Sequence, residues 1–139
     1  MTIDDQEPIP DDLERILYVD DEPDIRAIAK VALEVVGEFE VLFCASGREA
    51  IDQAPKFAPD LIILDVMMPE MDGPSTFAAL RSLPATAATP VIFMTAKVQK
   101  REVANYLALG AVGVIHKPFD PMTLADDVRQ LWLRTPADR

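Results

Sequence analysis

The sequence predicts an α/β fold in which helices cover both faces of a doubly wound, five-stranded parallel sheet. Five short apolar runs alternate with segments of helical periodicity from Ile16 onward. Each run has the length of a strand, and none alternates with polar residues, as expected for strands that are buried on both faces of a sheet. Because strands and helices alternate along the chain, a parallel sheet is favoured over an antiparallel one.

The individual elements follow from the spacing of the apolar residues. The predicted strands span residues 16–19, 41–45, 61–64, 91–94 and 112–115. The first helix begins near Pro23, because the missing N–H of proline does no harm in a first helical turn, and its apolar face runs from Ile25 to Val36. The other helices are predicted over residues 47–57, 74–82, 98–109 and 121–133.

The composition excludes several classes of function. The chain has 13 basic and 24 acidic residues, and its net charge of −11 would repel nucleic acid. One cysteine, Cys44, and one histidine, His116, can form neither an intramolecular disulfide nor the usual kind of zinc site. The first residues of the chain have neither the basic start nor the apolar stretch of a signal peptide, and no apolar run reaches the roughly 18–20 residues that span a membrane. We therefore expect a cytoplasmic protein without membrane insertion.

The charge distribution divides the chain into one domain and two short ends. Six acidic residues and two prolines precede the first basic residue, Arg15, and such a stretch buries little apolar surface. We expect a flexible acidic segment over residues 1–14, one folded domain over residues 15–134 and a tail over residues 135–139. From a length of 139 residues we expect no second domain with DNA-binding or enzymatic output.

Polar side chains follow four of the five strands, at the edge where parallel sheets form ligand sites. These side chains are Asp20, Asp21, Glu22, Asp65, Thr95 and Lys117. Crowded carboxylates repel one another, and a hard divalent cation such as Mg²⁺ removes that conflict. A lysine and a hydroxyl can contact phosphoryl oxygens, and an aspartate can accept a phosphoryl group as an acyl phosphate. The set therefore predicts Mg²⁺-dependent acceptance of a phosphoryl group.

Four sequence strings carry these residues, and together they resemble the receiver domains of response regulators in two-component signalling. The strings are ILYVDDEP (16–23), LIILDVMMPEMDG (61–73), VIFMTA (91–96) and KPF (117–119). The intervals of 44, 30 and 22 residues that separate Asp21, Asp65, Thr95 and Lys117 also agree with this family. The resemblance covers about residues 15–134 and points to the stand-alone, CheY-like type. It implies a flavodoxin-like three-layer sandwich with strand order 2-1-3-4-5.

The resemblance assigns roles to the acidic residues. Asp65 would be the phosphoacceptor, which attacks a phosphohistidine on a sensor histidine kinase or a histidine phosphotransfer protein. Asp21 and Asp65 would bind Mg²⁺ directly together with the backbone carbonyl of Met67, and Asp20 would act mainly through water. No independent substrate turnover is expected from such a site.

The resemblance also implies a switch, and the sequence departs from it at one position. Thr95 would be the switch hydroxyl, Lys117 would contact the phosphoryl group, and the Lys117–Pro118 peptide would be cis. The family usually carries Tyr or Phe three residues before the lysine, where this chain has Val114. Tyr106 lies in the preceding helix and does not take over that role, so output is expected to use backbone shifts or other side chains.

Two kinds of output stay open. The protein would act either as an adaptor that binds an unknown target protein when phosphorylated, or as a relay or sink that only moves phosphoryl groups. Val114 favours the relay. Met67 and Lys97 favour the adaptor, because neither can orient a water for attack on the acyl phosphate and autodephosphorylation is therefore expected to be slow.

The sequence fits three alternatives from other classes less well. A phosphatase of the haloacid-dehalogenase kind needs a second aspartate two residues after the nucleophile, where this chain has Met67. A flavodoxin-like cofactor binder needs a Ser/Thr/Gly-rich phosphate loop after the first strand, and acidic residues stand there instead. A receiver fold kept only as an interaction module would have lost a residue of the site, and none is lost.

Overall fold

A computed structural model describes residues 13–134 and confirms the predicted architecture. The strands are β1 (Arg15–Val19), β2 (Glu40–Cys44), β3 (Leu61–Asp65), β4 (Val91–Thr95) and β5 (Gly113–His116). They form one parallel sheet in the order β2-β1-β3-β4-β5, which is the predicted order 2-1-3-4-5. The expected flexible segment and C-terminal tail lie outside the described residues, apart from positions 13 and 14.

Five helices connect the strands or follow the last one. They are α1 (Pro23–Lys30), which continues as a π-helical turn (Val31–Val36), α2 (Gly47–Phe57), α3 (Gly73–Arg81), α4 (Lys100–Leu109) and α5 (Leu124–Leu133). Among residues 13–134, no helix combines the length and the apolarity that a membrane crossing requires.

Helix α5 begins later than the predicted residue 121. The side chain of Asp120 accepts a hydrogen bond from the N–H of Met122 at 2.9 Å. The carbonyl of Asp120 accepts bonds from the N–H groups of Thr123 (3.1 Å) and Leu124 (3.0 Å). These bonds hold residues 120–123 in a turn, so the regular helix starts at Leu124. Helix α4 likewise starts at Lys100 instead of residue 98.

The sheet separates two apolar cores, because successive residues of a strand point to opposite faces. In β1, Ile16 and Tyr18 join a core with residues of α1 and α5, and that core includes the buried Trp132. Leu17 and Val19 join the opposite core with residues of α2 and α3. This two-sided burial explains the solidly apolar strands in the sequence and places their carboxyl ends together at one edge.

Candidate functional site

The carboxyl edge of the sheet brings the predicted site residues together. Asp20 follows β1, Asp65 is the last residue of β3, and Thr95 is the last residue of β4. One carboxylate oxygen from each of Asp20, Asp21 and Asp65 lies within 4.8 Å of the others. The cavity at this edge has the following lining residues: Asp21, Glu22, Asp65, Met67, Thr95, Ala96 and Lys117.

The three aspartates form an acidic cluster, with Asp20 and Asp65 buried, that fits a divalent cation. Asp20 is fully buried and Asp65 is 3% exposed. Burial and the neighbouring Asp20 raise the pKa of Asp65 to about 6, and the opposing effect of Lys117 does not cancel this rise. Mg²⁺ binds oxygen ligands, commonly one or two carboxylates, and its charge would relieve the repulsion among these three side chains. The donor set of this chain therefore suits Mg²⁺.

Asp20 and Asp21 differ in how their oxygens are used. The Oδ1 atom of Asp20 accepts a hydrogen bond from the backbone N–H of Glu22 at 3.0 Å. Its Oδ2 atom accepts bonds from the Lys117 Nζ at 3.2 Å and from the Tyr18 hydroxyl at 3.4 Å. Asp21 is partly exposed, and its carboxylate makes no hydrogen bond or ion pair with any other residue in the range 13–134. This difference is compatible with direct ligation by Asp21 and water-mediated contact by Asp20.

Lys117 provides the positive charge of the site. Its Nζ atom lies 3.1 Å from Glu22 Oε1, 3.2 Å from Asp20 Oδ2 and 3.3 Å from Asp65 Oδ1. Burial lowers the pKa of Lys117, but the negative charges of Asp20 and Asp65 raise it by more, so the net shift of the pKa is upward. The lysine is therefore a cation at neutral pH. The Lys117–Pro118 peptide is cis, as predicted.

Thr95 and Met67 both line the cavity. The Thr95 hydroxyl oxygen accepts a hydrogen bond from the backbone N–H of Lys97 at 3.0 Å, so the side chain is held within its own turn. Met67 is 76% exposed and lines the cavity. Both residues thus border the space in which a ligand of Asp65 would lie.

Val114 and Tyr106 occupy separate places. Val114 is a half-buried residue of β5, paired with Phe93 of β4. The Tyr106 ring of α4 packs on the Phe93 ring, with centroids 5.1 Å apart, and belongs to the core on the α2–α3 face. The aromatic ring of Tyr106 is therefore a packing element in this structure.

The contacts of Tyr18 with Asp20 and of Glu22 with Lys117 were not assigned from the sequence. The Tyr18 hydroxyl donates a hydrogen bond to Asp20. Tyr18 lies two residues before Asp20, and since alternate residues of a strand share a face, this spacing could have indicated the contact. Glu22 was included among the acidic residues after β1 but received no role. Its contact with Lys117, 95 residues away, depends on the path of a long side chain, which spacing does not reveal.

Comparison with known proteins identifies this class of site. The fold closely matches the chemotaxis response regulator CheY4 of Vibrio cholerae, with a TM-score of 0.78, 34% identity and coverage of 86% of this chain and 98% of that chain. A putative response regulator from Chloroflexus aurantiacus gives a TM-score of 0.77 at 31% identity, with coverage of 87% of this chain and 98% of that chain. The fold is thus that of a CheY-like receiver.

The family model for the response regulator receiver domain matches residues 16–129. The response regulator Rre1 of Synechocystis is 36% identical over 122 residues, which are 88% of this chain and 53% of that protein. This chain belongs to the response regulator receiver family of two-component signalling. It spans about half the length of the curated relatives that it matches first.

Proposed function

We propose that this receiver accepts a phosphoryl group on Asp65 from a phosphohistidine of a sensor histidine kinase or a histidine phosphotransfer protein. The observation that carries the proposal is the 3.3 Å ion pair between Lys117 Nζ and the buried Asp65 Oδ1 inside the acidic cluster. An accessible cavity borders this pair, so an incoming phosphoryl group can reach the Asp65 carboxylate beside a fixed positive charge.

The side chains of Asp21 and Asp65 and the backbone carbonyl of Met67 would hold Mg²⁺, and Asp20 would contact it through water. When bound, the ion supplies charge neutralisation for the oxygens of the transferred group. The crowding of the three carboxylates within 4.8 Å supports this assignment. Most of the catalytic benefit would come from positioning, because phosphoryl transfer demands little covalent chemistry from the protein.

In the proposed transfer, a carboxylate oxygen of Asp65 attacks phosphorus in line with the P–N bond of the phosphohistidine. The new P–O bond forms as the P–N bond breaks, and the imidazole leaves with the bonding electron pair and takes up a proton. Lys117 then contacts one oxygen of the phosphoryl group. The Thr95 hydroxyl would exchange its present bond with the Lys97 N–H for a contact with another oxygen.

The output of this receiver would pass through contacts with a downstream protein or through onward transfer of the phosphoryl group. We place it in the cytoplasm, where histidine kinases present their phosphohistidine.

Phosphorylation of Asp65 would shift a two-state surface formed by α4, β5 and α5. Because Val114 stands where the family usually carries Tyr or Phe, we expect Val114→Tyr to change partner binding more than it changes phosphorylation, and equal effects on both would count against this expectation.

The test is incubation with acetyl phosphate and Mg²⁺, followed by intact-mass measurement. We expect a gain of one phosphoryl group that is lost in Asp65→Asn and in EDTA. Asp24→Asn is the matched control, because it removes an exposed carboxylate from the same edge and should leave the gain intact. If neither acetyl phosphate nor beryllofluoride reacts with or binds to the wild-type protein, the proposal is wrong. Binding of beryllofluoride alone would support a site that accepts phosphoryl groups only from its kinase.

A further inference from the structure

Lys117 forms ion pairs with Asp20, Glu22 and Asp65, and of these three carboxylates only Glu22 has no role in the proposed transfer. Its Oε1 atom lies 3.1 Å from Lys117 Nζ, as near as the oxygens of Asp20 and Asp65. The backbone of Glu22 is fixed at the start of α1, since its N–H donates to Asp20 Oδ1 at 3.0 Å. The side chain extends from this fixed point across the cavity wall to the lysine.

Counting donors and acceptors shows why this contact matters. A lysine ammonium has three N–H donors, and in the structure Lys117 donates to Asp20 and Glu22 and faces Asp65 at 3.3 Å. While a phosphoryl group approaches, before the Asp65 carboxylate has formed its bond to phosphorus, a phosphoryl oxygen competes with these three carboxylates for the same donors. One present partner must therefore yield before Lys117 can bind the incoming group at full strength.

Exposure identifies the partner that gives way. The side chain of Glu22 is 58% exposed, whereas those of Asp20 and Asp65 are 0% and 4% exposed. Water can solvate the Glu22 carboxylate once its ion pair breaks, so its release is inexpensive. Release of a buried aspartate would leave an unpaired charge in a dry environment and is strongly disfavoured.

We infer that Glu22 is a positioning residue that restrains Lys117 in the unphosphorylated site and must release it before the ammonium serves the phosphoryl group. This inference rests on the proposed function of Asp65. Glu22 also lines the cavity through which an anionic donor enters, so its charge opposes entry as well. Both effects make the wild-type protein slower to phosphorylate than a variant without this charge.

The first measurement is the rate of phosphorylation by acetyl phosphate at saturating Mg²⁺ for wild type, Glu22→Gln and Asp24→Asn. We expect Glu22→Gln to be about two- to fivefold faster, the range that an exposed ion pair can supply. Asp24→Asn makes the same change in charge two residues away, on an exposed side chain that has no ion pair with Lys117. It should stay close to the wild-type rate.

A salt series and a stability measurement separate restraint from a general structural effect. The advantage of Glu22→Gln should shrink as ionic strength rises, because salt screens an exposed pair. Its urea midpoint should stay near that of wild type. A rate for Glu22→Gln equal to or below wild type would overturn the inference, as would an equal acceleration in Asp24→Asn.

Absence of phosphorylation in all three proteins would bear on the proposed function and would not by itself test the role of Glu22. If no protein takes up a phosphoryl group from acetyl phosphate, a beryllofluoride titration of the same three proteins at saturating Mg²⁺ decides the inference. About two- to fivefold tighter binding to Glu22→Gln alone supports it. Equal affinities, or no binding by any of the three proteins, overturn it.

Discussion

A Cβ atom on Gly73 would lie 2.5 Å from the backbone carbonyl oxygen of Asp65 and 2.9 Å from the Cα atom of Val66. The N–H of Gly73 donates to the carbonyl of Val66 at 2.8 Å, which holds the start of α3 against the end of β3. Since the crowding atoms belong to the backbone, no side-chain rotation can make room for a larger residue.

We expect Gly73→Ala to lower the free energy of unfolding by about 1–3 kcal/mol, the usual effect of overpacking. Phosphorylation should slow by at least about tenfold, because displacement of Asp65 spoils in-line attack. Urea unfolding and acetyl phosphate kinetics measure the two effects. Ser75→Ala, an exposed change in the same turn, should alter stability by less than about 0.5 kcal/mol. Wild-type behaviour of Gly73→Ala would show that the two segments can separate without loss.

Cys44 is expected to be chemically inert in the folded protein. It is fully buried, and burial, together with the charge of Glu49, raises the pKa of its thiol to about 12. The thiolate is the reactive form, so a disulfide reagent at pH 8 should modify native protein at least about 100-fold more slowly than urea-unfolded protein. Cys44→Ala gives the background. Equal rates in the two states would contradict the burial of this residue.

Ala58 ends α2 in the left-handed region, with φ 54° and ψ 63°. This conformation is unfavourable for a residue with a Cβ atom, and glycine adopts it without that penalty. Ala58→Gly should therefore stabilise the protein by about 0.5–1 kcal/mol in urea unfolding, after allowance for the greater freedom of glycine in the unfolded chain. Ala104→Gly, at an exposed position inside α4, should destabilise it by about 1 kcal/mol. The same sign for both changes would refute the argument.

The sheet and the site residues could be predicted because both depend on strand periodicity. Buried strands are recognisable as apolar runs, and the carboxyl ends of parallel strands share one edge, so Asp65 and Lys117 were expected near each other despite their distance in the chain. Strand order came from the family resemblance alone, since apolar runs do not state which strands pair. The structure bears out both expectations.

The remaining features depend on individual hydrogen bonds and side-chain paths. The start of α5 is set by three bonds to Asp120, which a hydrophobic pattern does not encode. The contact of Glu22 with Lys117 follows from the direction of a long side chain. Hydrophobic spacing predicts the faces of elements well, and it predicts neither helix caps nor the partners of charged groups.

Asp65 should make the stability of the metal-free protein depend on pH in the opposite sense to most carboxylates. Its pKa is about 6 in the folded protein and 3.8 as the ordinary value, so between these two values the native state binds more protons than the unfolded state. Under this condition the free energy of unfolding falls as pH rises. The loss begins near pH 4 and is complete above about pH 6.

Asp65→Asn removes the titrating group, so the free energy of unfolding of the variant should rise relative to that of the wild type between about pH 4 and pH 6. At pH 7 without metal, the variant should be about 1–3 kcal/mol more stable. Urea unfolding at pH 4.5, 5.5 and 7 in EDTA measures the difference. Saturating Mg²⁺ at pH 7 should stabilise the wild type and have much less effect on the variant, because a ligand that binds only the folded state stabilises it more when it binds more tightly. Parallel pH profiles for the two proteins would mean that the Asp65 carboxylate keeps an ordinary pKa, and the crowding of the acidic cluster would then be relieved without a metal.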